Sequence, residues 1–197
     1  SVTFLIDKSN DWINKYLKKI FLKDYKFNFK ISKNFKKIKN QDIVFILNYT
    51  KILPKSFLIQ NHLNLVVHAS NLPKGKGFAP IQWQILNNKK NILLCLIEAV
   101  ERVDSGSIIE KKSIKFKGYE LNGEIRHIQG NETIKIIKKF LNKYPKFKRK
   151  KQSGKSTFFR KRKPEDSELN INKSLKENFN LLRIVDNEKY PAFFYYK

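Results

Sequence analysis

The sequence predicts an α/β fold, with a mostly parallel twisted sheet, helices on both faces and a short C-terminal extension. Three observations predict it. Short continuous apolar runs at Val2–Ile6, Ile43–Leu47 and residues 63–67 have the composition of strands buried on both faces. Between the first two, Trp12, Ile13, Tyr16, Leu17, Ile20 and Phe21 recur at helical spacing. Further on, residues 125–144 form a long amphipathic stretch in which Ile128, Ile134, Ile137, Phe140 and Leu141 share a face. Strands alternating with helices in this order give a layered sheet of Rossmann-like topology.

The remaining elements follow in order. Residues 7–10 supply turn and cap chemistry after the first strand. Residues 27–31 alternate as a second strand, residues 81–86 read as a helix, and residues 92–100 as another strand. After Pro145 the texture changes. Residues 146–156 are basic, contain Gly154 and read as a linker or mobile loop. Residues 157–197 resume with Phe158-Phe159, a helix at 175–182 and a final aromatic strand at 192–196. The division is a core at 1–145, a basic loop at 146–156 and an extension at 157–197. The extension is too short for a core of its own and is expected to pack on the main sheet.

Composition narrows the function classes. The 197 residues are 41% hydrophobic with a formal net charge of +25, which fits a globular chain rather than a disordered one. Such charge suggests nucleic acid, but 42 basic residues include only six Arg, at 102, 126, 149, 160, 162 and 183. Nucleic-acid readers favour the planar arginine fork, so the surplus of lysine reads as compositional bias and disfavours nucleic acid as a partner. Cys95 is the only cysteine, inside the run Leu93-Leu94-Cys95-Leu96-Ile97, and reads as a core thiol. No apolar run reaches transmembrane length and no signal peptide leads the chain, so a cytoplasmic protein with no membrane partner is expected.

Several short motifs do not survive inspection. Gly154-Lys155-Ser156-Thr157 resembles the end of a phosphate-binding loop, but the required earlier glycine is Arg149 and no apolar strand feeds it. Gly75-Lys76-Gly77 begins like a dinucleotide fingerprint, but Pro80 occupies the third glycine position. His62 and His127 have no partner at metal spacing, so no metal site is expected. The basic run at 146–151 reads as a solvated surface.

His68 differs. It follows the buried run Leu65-Val66-Val67 and opens a loop with Ser70, Pro73, Gly75 and Gly77. In an open α/β sheet the carboxyl ends of the strands are where ligands bind, and an imidazole there exchanges protons near neutral pH. Asp104, 36 positions later, follows the strand at 92–100. If those neighbouring strands run parallel, Asp104 and His68 meet at one edge, and the carboxylate orients the imidazole. By spacing alone, a structural histidine with a helix-capping aspartate reads slightly better.

The segment from His68 to Trp83, His-Ala-Ser-Asn-Leu-Pro-Lys-Gly-Lys-Gly-Phe-Ala-Pro-Ile-Gln-Trp, resembles the signature loop of the folate-dependent formyltransferases. Val103-Asp104-Ser105-Gly106 resembles their Asp-x-Gly element, and Ile52-Leu53-Pro54-Lys55 the segment leading into their active-site strand. The superfamily includes methionyl-tRNA formyltransferase, glycinamide ribonucleotide formyltransferase and the sugar-nucleotide N-formyltransferases.

The resemblance implies a one-carbon transferase with 10-formyltetrahydrofolate as co-substrate, a primary amine as acceptor and no metal. It implies that His68 assists proton removal from the amine and stabilises the tetrahedral intermediate, that Asp104 holds and polarises His68, and that Leu53, Val100, Val103 and Asp104 line the folate pocket. The family carries an asparagine two residues before the histidine; Val66 stands there, so Asn71 is taken as the catalytic amide, with Asn48 the other candidate. The tail, from Thr157 through Phe193-Phe194, resembles short formyltransferases of surface-glycan biosynthesis, and no room is expected after Tyr144 for a second, tRNA-gripping domain. This implies a nucleotide-linked amino sugar as the acceptor, with Lys74, Lys76, Arg160 and Arg162 on its diphosphate. The alternatives are an aminoacyl-tRNA or amino-acid formyltransferase, or a catalytically weakened basic nucleic-acid-binding or scaffold protein. A homodimer is left open.

Overall fold

The computed structural model describes residues 1–21 and 26–196. Six strands form one sheet: β1 (Val2–Ile6), β2 (Phe29–Ser32), β3 (Ile43–Leu47), β4 (Leu63–His68), β6 (Asn91–Glu98) and β7 (Ile108–Lys115), in the order β2-β1-β3-β4-β6-β7. Two short strands, β5 (Lys76–Gly77) and β8 (Phe158–Phe159), pair separately and in parallel. The helices are α1 (Asn14–Phe21), α2 (Lys55–Ile59), α3 (Pro80–Leu86), α4 (Asn122–Lys143) and α5 (Leu175–Ile184).

The continuous apolar runs are the central strands. Every residue of β1 and β3 is buried, because helices cover both faces. On one face Phe4 and Phe45 stack 5.4 Å apart, and Phe45 meets Phe140 of α4 edge-on at 5.9 Å. Tyr16, Leu17 and Ile20 of α1 complete that core with Ile134 and Ile137 of α4. On the other face Leu5, Val44 and Ile46 pack with Phe57 of α2. Helix α4 passes close to α1 at Gly130, where a Cβ would lie 2.7 Å from the Tyr16 ring.

Two expectations are corrected. β6 runs antiparallel to β4, with Leu65 opposite Glu98 and His68 opposite Cys95, and β7 returns antiparallel beside it. The sheet is parallel only across β2-β1-β3-β4. The expected strand at 192–196 reduces to one bridge between Glu168 and Phe193. The residues at 167–169 offer no longer partner, and Phe194, Tyr195 and Tyr196 remain exposed. Cys95 is buried as expected, with burial pushing its thiol pKa up.

The extension is tied to the core by charge. Arg183 of α5 and Glu120, just before α4, are 3% and 5% exposed and lie 3.3 Å apart. Burial raises the Glu120 pKa, but N–H bonds from Lys117 and Gly118 outweigh it and hold the group below its usual value. Arg126 of α4 pairs with Asp186 at 2.6 Å. The basic loop is also fastened: Lys150 exchanges both backbone hydrogen bonds with Ile108. No helix among the described residues is long and apolar enough to cross a membrane.

At the carboxyl end of β1, Asp7 joins two loops. Its carboxylate accepts from the N–H and hydroxyl of Ser9 and from the N–H and hydroxyl of Thr50. Burial alone would raise its pKa, yet these donors together lower it from 3.8 to about 2.

Two outcomes follow from these ties. Arg183→Met leaves Glu120 charged, buried and unpaired and is expected to cost about 3–5 kcal/mol, read from the urea midpoint; adding Glu120→Gln recovers part of the loss. For Asp7, the folded pKa of about 2 lies below the unfolded 3.8. Its stabilisation, about 2 kcal/mol, is therefore fully present above about pH 4 and is lost as pH falls toward 2. Asp7→Asn is expected to flatten acid unfolding over that window, monitored by circular dichroism.

Candidate active site

A cavity of about 440 Å³ opens where β3 and β4 end, and His68, the last residue of β4, is in its wall. The imidazole is nearly enclosed, at 6% exposure. Its Nε2 lies 2.8 Å from the Gly75 carbonyl oxygen. A carbonyl only accepts, so Nε2 is the donor and carries a proton. Nδ1 faces Asp104 Oδ1 at 3.5 Å. In the neutral ring that nitrogen has a lone pair directed toward a carboxylate, and a proton placed between them turns repulsion into a charge-assisted hydrogen bond.

Parallel neighbouring strands do not bring Asp104 here, because β6 runs away from the edge at which His68 sits. The loop after β6 doubles back instead. Asp104 adopts φ +51°, its Oδ2 accepts from the Gly77 N–H at 2.8 Å, and its carbonyl accepts from the Gln152 side chain at 2.8 Å. Two glycines make this possible. At Gly106 a Cβ would fall 1.9 Å from the Glu98 carbonyl oxygen. At Gly77, with φ +94°, it would fall 2.3 Å from the Phe159 carbonyl oxygen. The glycines of the signature loop therefore serve close backbone approach to β8, not a phosphate.

Of the residues expected to bind the folate donor, Leu53, Val100, Val103 and Asp104 all line the cavity, where Leu58, Val66 and Ile97 add to an apolar wall. Asn71 does not line it. Its Oδ1 accepts from Lys111 at 3.1 Å on the surface. Asn10, Asn48, Gln82, Asn122 and Gln129 are the amides among the lining residues, and of these the Asn48 Nδ2 is buried with no hydrogen-bond partner.

The four expected diphosphate cations separate. Lys74 is exposed outside the cavity. Lys76 is 4% exposed and donates to Ser105 Oγ at 2.9 Å; burial, then Arg102, lowers its pKa. Arg160 lies over Trp83 at 4.8 Å and donates to Asp166 at 2.7 Å. Only Arg162 lines the cavity, with its Nη groups on Ile184, Asp166 and Ser167 and burial pushing its pKa down. The other cations in the wall are Lys51, Arg126, Lys161 and Lys189, and Trp12 and Tyr190 also line it. Sequence spacing does not reveal them, since they come from α4, the segment after β8 and the region after α5. Among the described residues no cluster of His, Cys, Asp and Glu suits a metal ion.

Known proteins share this arrangement. Residues 5–129 match the family described as Formyl transferase. A methionyl-tRNA formyltransferase of Thermodesulfovibrio yellowstonii is 34% identical over 159 residues, covering 75% of this chain and 50% of that protein. The chain spans about half the length of the curated relatives it matches. A solved methionyl-tRNA formyltransferase from Clostridium thermocellum superposes with a TM-score of 0.84 at 28% identity, covering 99% of this chain and 87% of that one. A sugar N-formyltransferase from a Shewanella species shares the fold, with a TM-score of 0.73 at 14% identity, covering 99% and 92%. A family match that runs from β1 into α4, over more than half of the chain, leads to one conclusion: the chain belongs to the formyl transferase family.

Proposed function

We propose that this protein moves the formyl group of 10-formyltetrahydrofolate to the primary amine of a nucleotide-linked amino sugar. The observation that carries the reading is the His68–Asp104 pair, Nδ1 to Oδ1 at 3.5 Å, inside a cavity lined by both apolar and charged residues. The apolar wall of Leu53, Leu58, Val66, Ile97, Val100 and Val103 suits a flat pterin, and Lys51 supplies a charge for the glutamate carboxylates. Arg126, Lys161, Arg162 and Lys189 with Trp12 and Tyr190 suit a base and a diphosphate.

The transfer is direct. The acceptor nitrogen forms a bond to the formyl carbon while the carbonyl electron pair moves to oxygen. The ammonium proton passes to the His68–Asp104 pair and then to the departing folate nitrogen as the carbon–nitrogen bond breaks. Asp104 keeps the imidazolium paired throughout. Its own position is fixed by the Gly77 N–H.

A second reading has the amine of an aminoacyl-tRNA as acceptor. The 34% identity to a methionyl-tRNA formyltransferase favours it, and the same cations suit a terminal adenosine and its phosphate.

Incubation with 10-formyltetrahydrofolate and either nucleotide-linked amino sugars or charged tRNA, read by product mass, separates the two. His68→Asn and Asp104→Asn are each expected to lower kcat about 10²–10⁴-fold, while calorimetry shows donor binding retained in His68→Asn. Formyl transfer to neither acceptor class, with no folate binding, would sink the reading.

A further inference from the structure

We infer that Asn48 is a catalytic residue, with its side-chain amide donating to the formyl oxygen as negative charge builds there. The inference rests on the formyltransferase reading above and names a residue within it. Three observations carry it. In the parallel pairing of β3 and β4, Ile46 lies opposite Val66. Continued two residues beyond that last pair, the register brings the Asn48 backbone toward His68 at the carboxyl edge of the sheet, and both residues line the cavity. The Asn48 Nδ2 is buried and has no hydrogen-bond partner. A buried amide left unpaired costs about 1–3 kcal/mol, so it is kept where a ligand supplies the acceptor.

The surroundings hold this amide in place. Asn48 adopts φ +51°. Its carbonyl accepts from Asn10 Nδ2 at 3.3 Å, and Asp7 fixes Thr50 two residues later. Val66, two residues before His68 on β4, offers no donor, and Asn71 is bound to Lys111 outside the cavity. The chemistry requires such a donor. When the amine attacks, the carbonyl pair moves onto oxygen, and a fixed N–H there stabilises the oxyanion more than the neutral carbonyl. His68 is committed through Nε2 to Gly75 and through Nδ1 to Asp104, which leaves the formyl oxygen to another group.

A purely conformational role is the competing explanation, because asparagine tolerates positive φ better than most residues. Asn48→Gly separates the two. Glycine adopts the same backbone at no steric cost and removes only the amide. The probe is 10-formyl-5,8-dideazafolate carrying a ¹³C-formyl group, bound to the wild type and to Asn48→Gly and read by difference infrared spectroscopy. A hydrogen bond to the carbonyl lowers its stretching frequency, so the variant is expected to show a higher frequency than the wild type. On the acceptor the wild type formylates, kcat is expected to fall about 10²–10³-fold. Binding with an unchanged stretch, or kcat within about threefold of wild type, overturns the role of Asn48 and leaves the formyltransferase reading intact. No binding of the probe to the wild type overturns that reading and this inference with it.

Discussion

The carboxylate of Asp104 is the tie on which the site depends. One oxygen accepts from the Gly77 N–H, the other faces His68, and its backbone carbonyl is held by Gln152. Three segments distant in sequence therefore meet at one residue: the signature loop, the loop after β6 and the basic stretch after α4. Each has a steric condition for the meeting. Gly106 lets the second loop cross its own strand, and Gly77 lets the first lie against Phe159. The Asp-x-Gly spacing thus has a mechanical reason, since the aspartate reaches back only if the residue two positions later has no side chain.

The large positive charge is managed away from this tie. Glu110 takes both Lys139 and Lys143, and Glu132 takes both Lys112 and Lys135, lacing the edge strand β7 to α4. Burial raises the pKa of these carboxyls, but the lysines outweigh it and hold them low. Exposed pairs of this kind contribute little individually. Their effect is to offset self-repulsion in a chain of net charge +25. The lysines left over raise the potential around the cavity mouth and favour anionic ligands without selecting among them.

How much of this was legible in the sequence follows from which interactions are local. β1, β3 and β4 announced themselves as continuous apolar runs because both their faces are covered. β7 did not, because it is an edge strand whose exposed positions carry Lys111 and Lys115, charges that blunt edges. Its absence from the pattern also hid the direction of β6. The β5–β8 pair is two residues long on each side and joins segments some eighty positions apart, beyond the reach of periodicity. In the site, His68 and Asp104 were readable from motif and spacing, although the geometry that joins them is a returning loop rather than parallel strands. That Asn71 falls outside the cavity while Asn48 lines it was hidden for a similar reason. Asn71 is close to His68 along the chain, whereas Asn48 is close across the sheet, and only the strand register distinguishes those distances.

The same register bears on how the chemistry is divided. Cys95, the chain's only thiol, is fully buried and donates to the Ser70 carbonyl, so it is inert as a nucleophile. If the transfer is direct, as proposed, one encounter must supply both a proton acceptor and an oxyanion donor. One residue at a strand end cannot serve both. On that reading an imidazole already committed to Gly75 and Asp104 would handle the proton and has no free N–H for the oxygen. Adjacent parallel strands resolve the conflict, because they end side by side and present one side chain each to the same space. On this argument β4 contributes the proton site and β3 the donor, and the reacting carbon lies between the two strand ends.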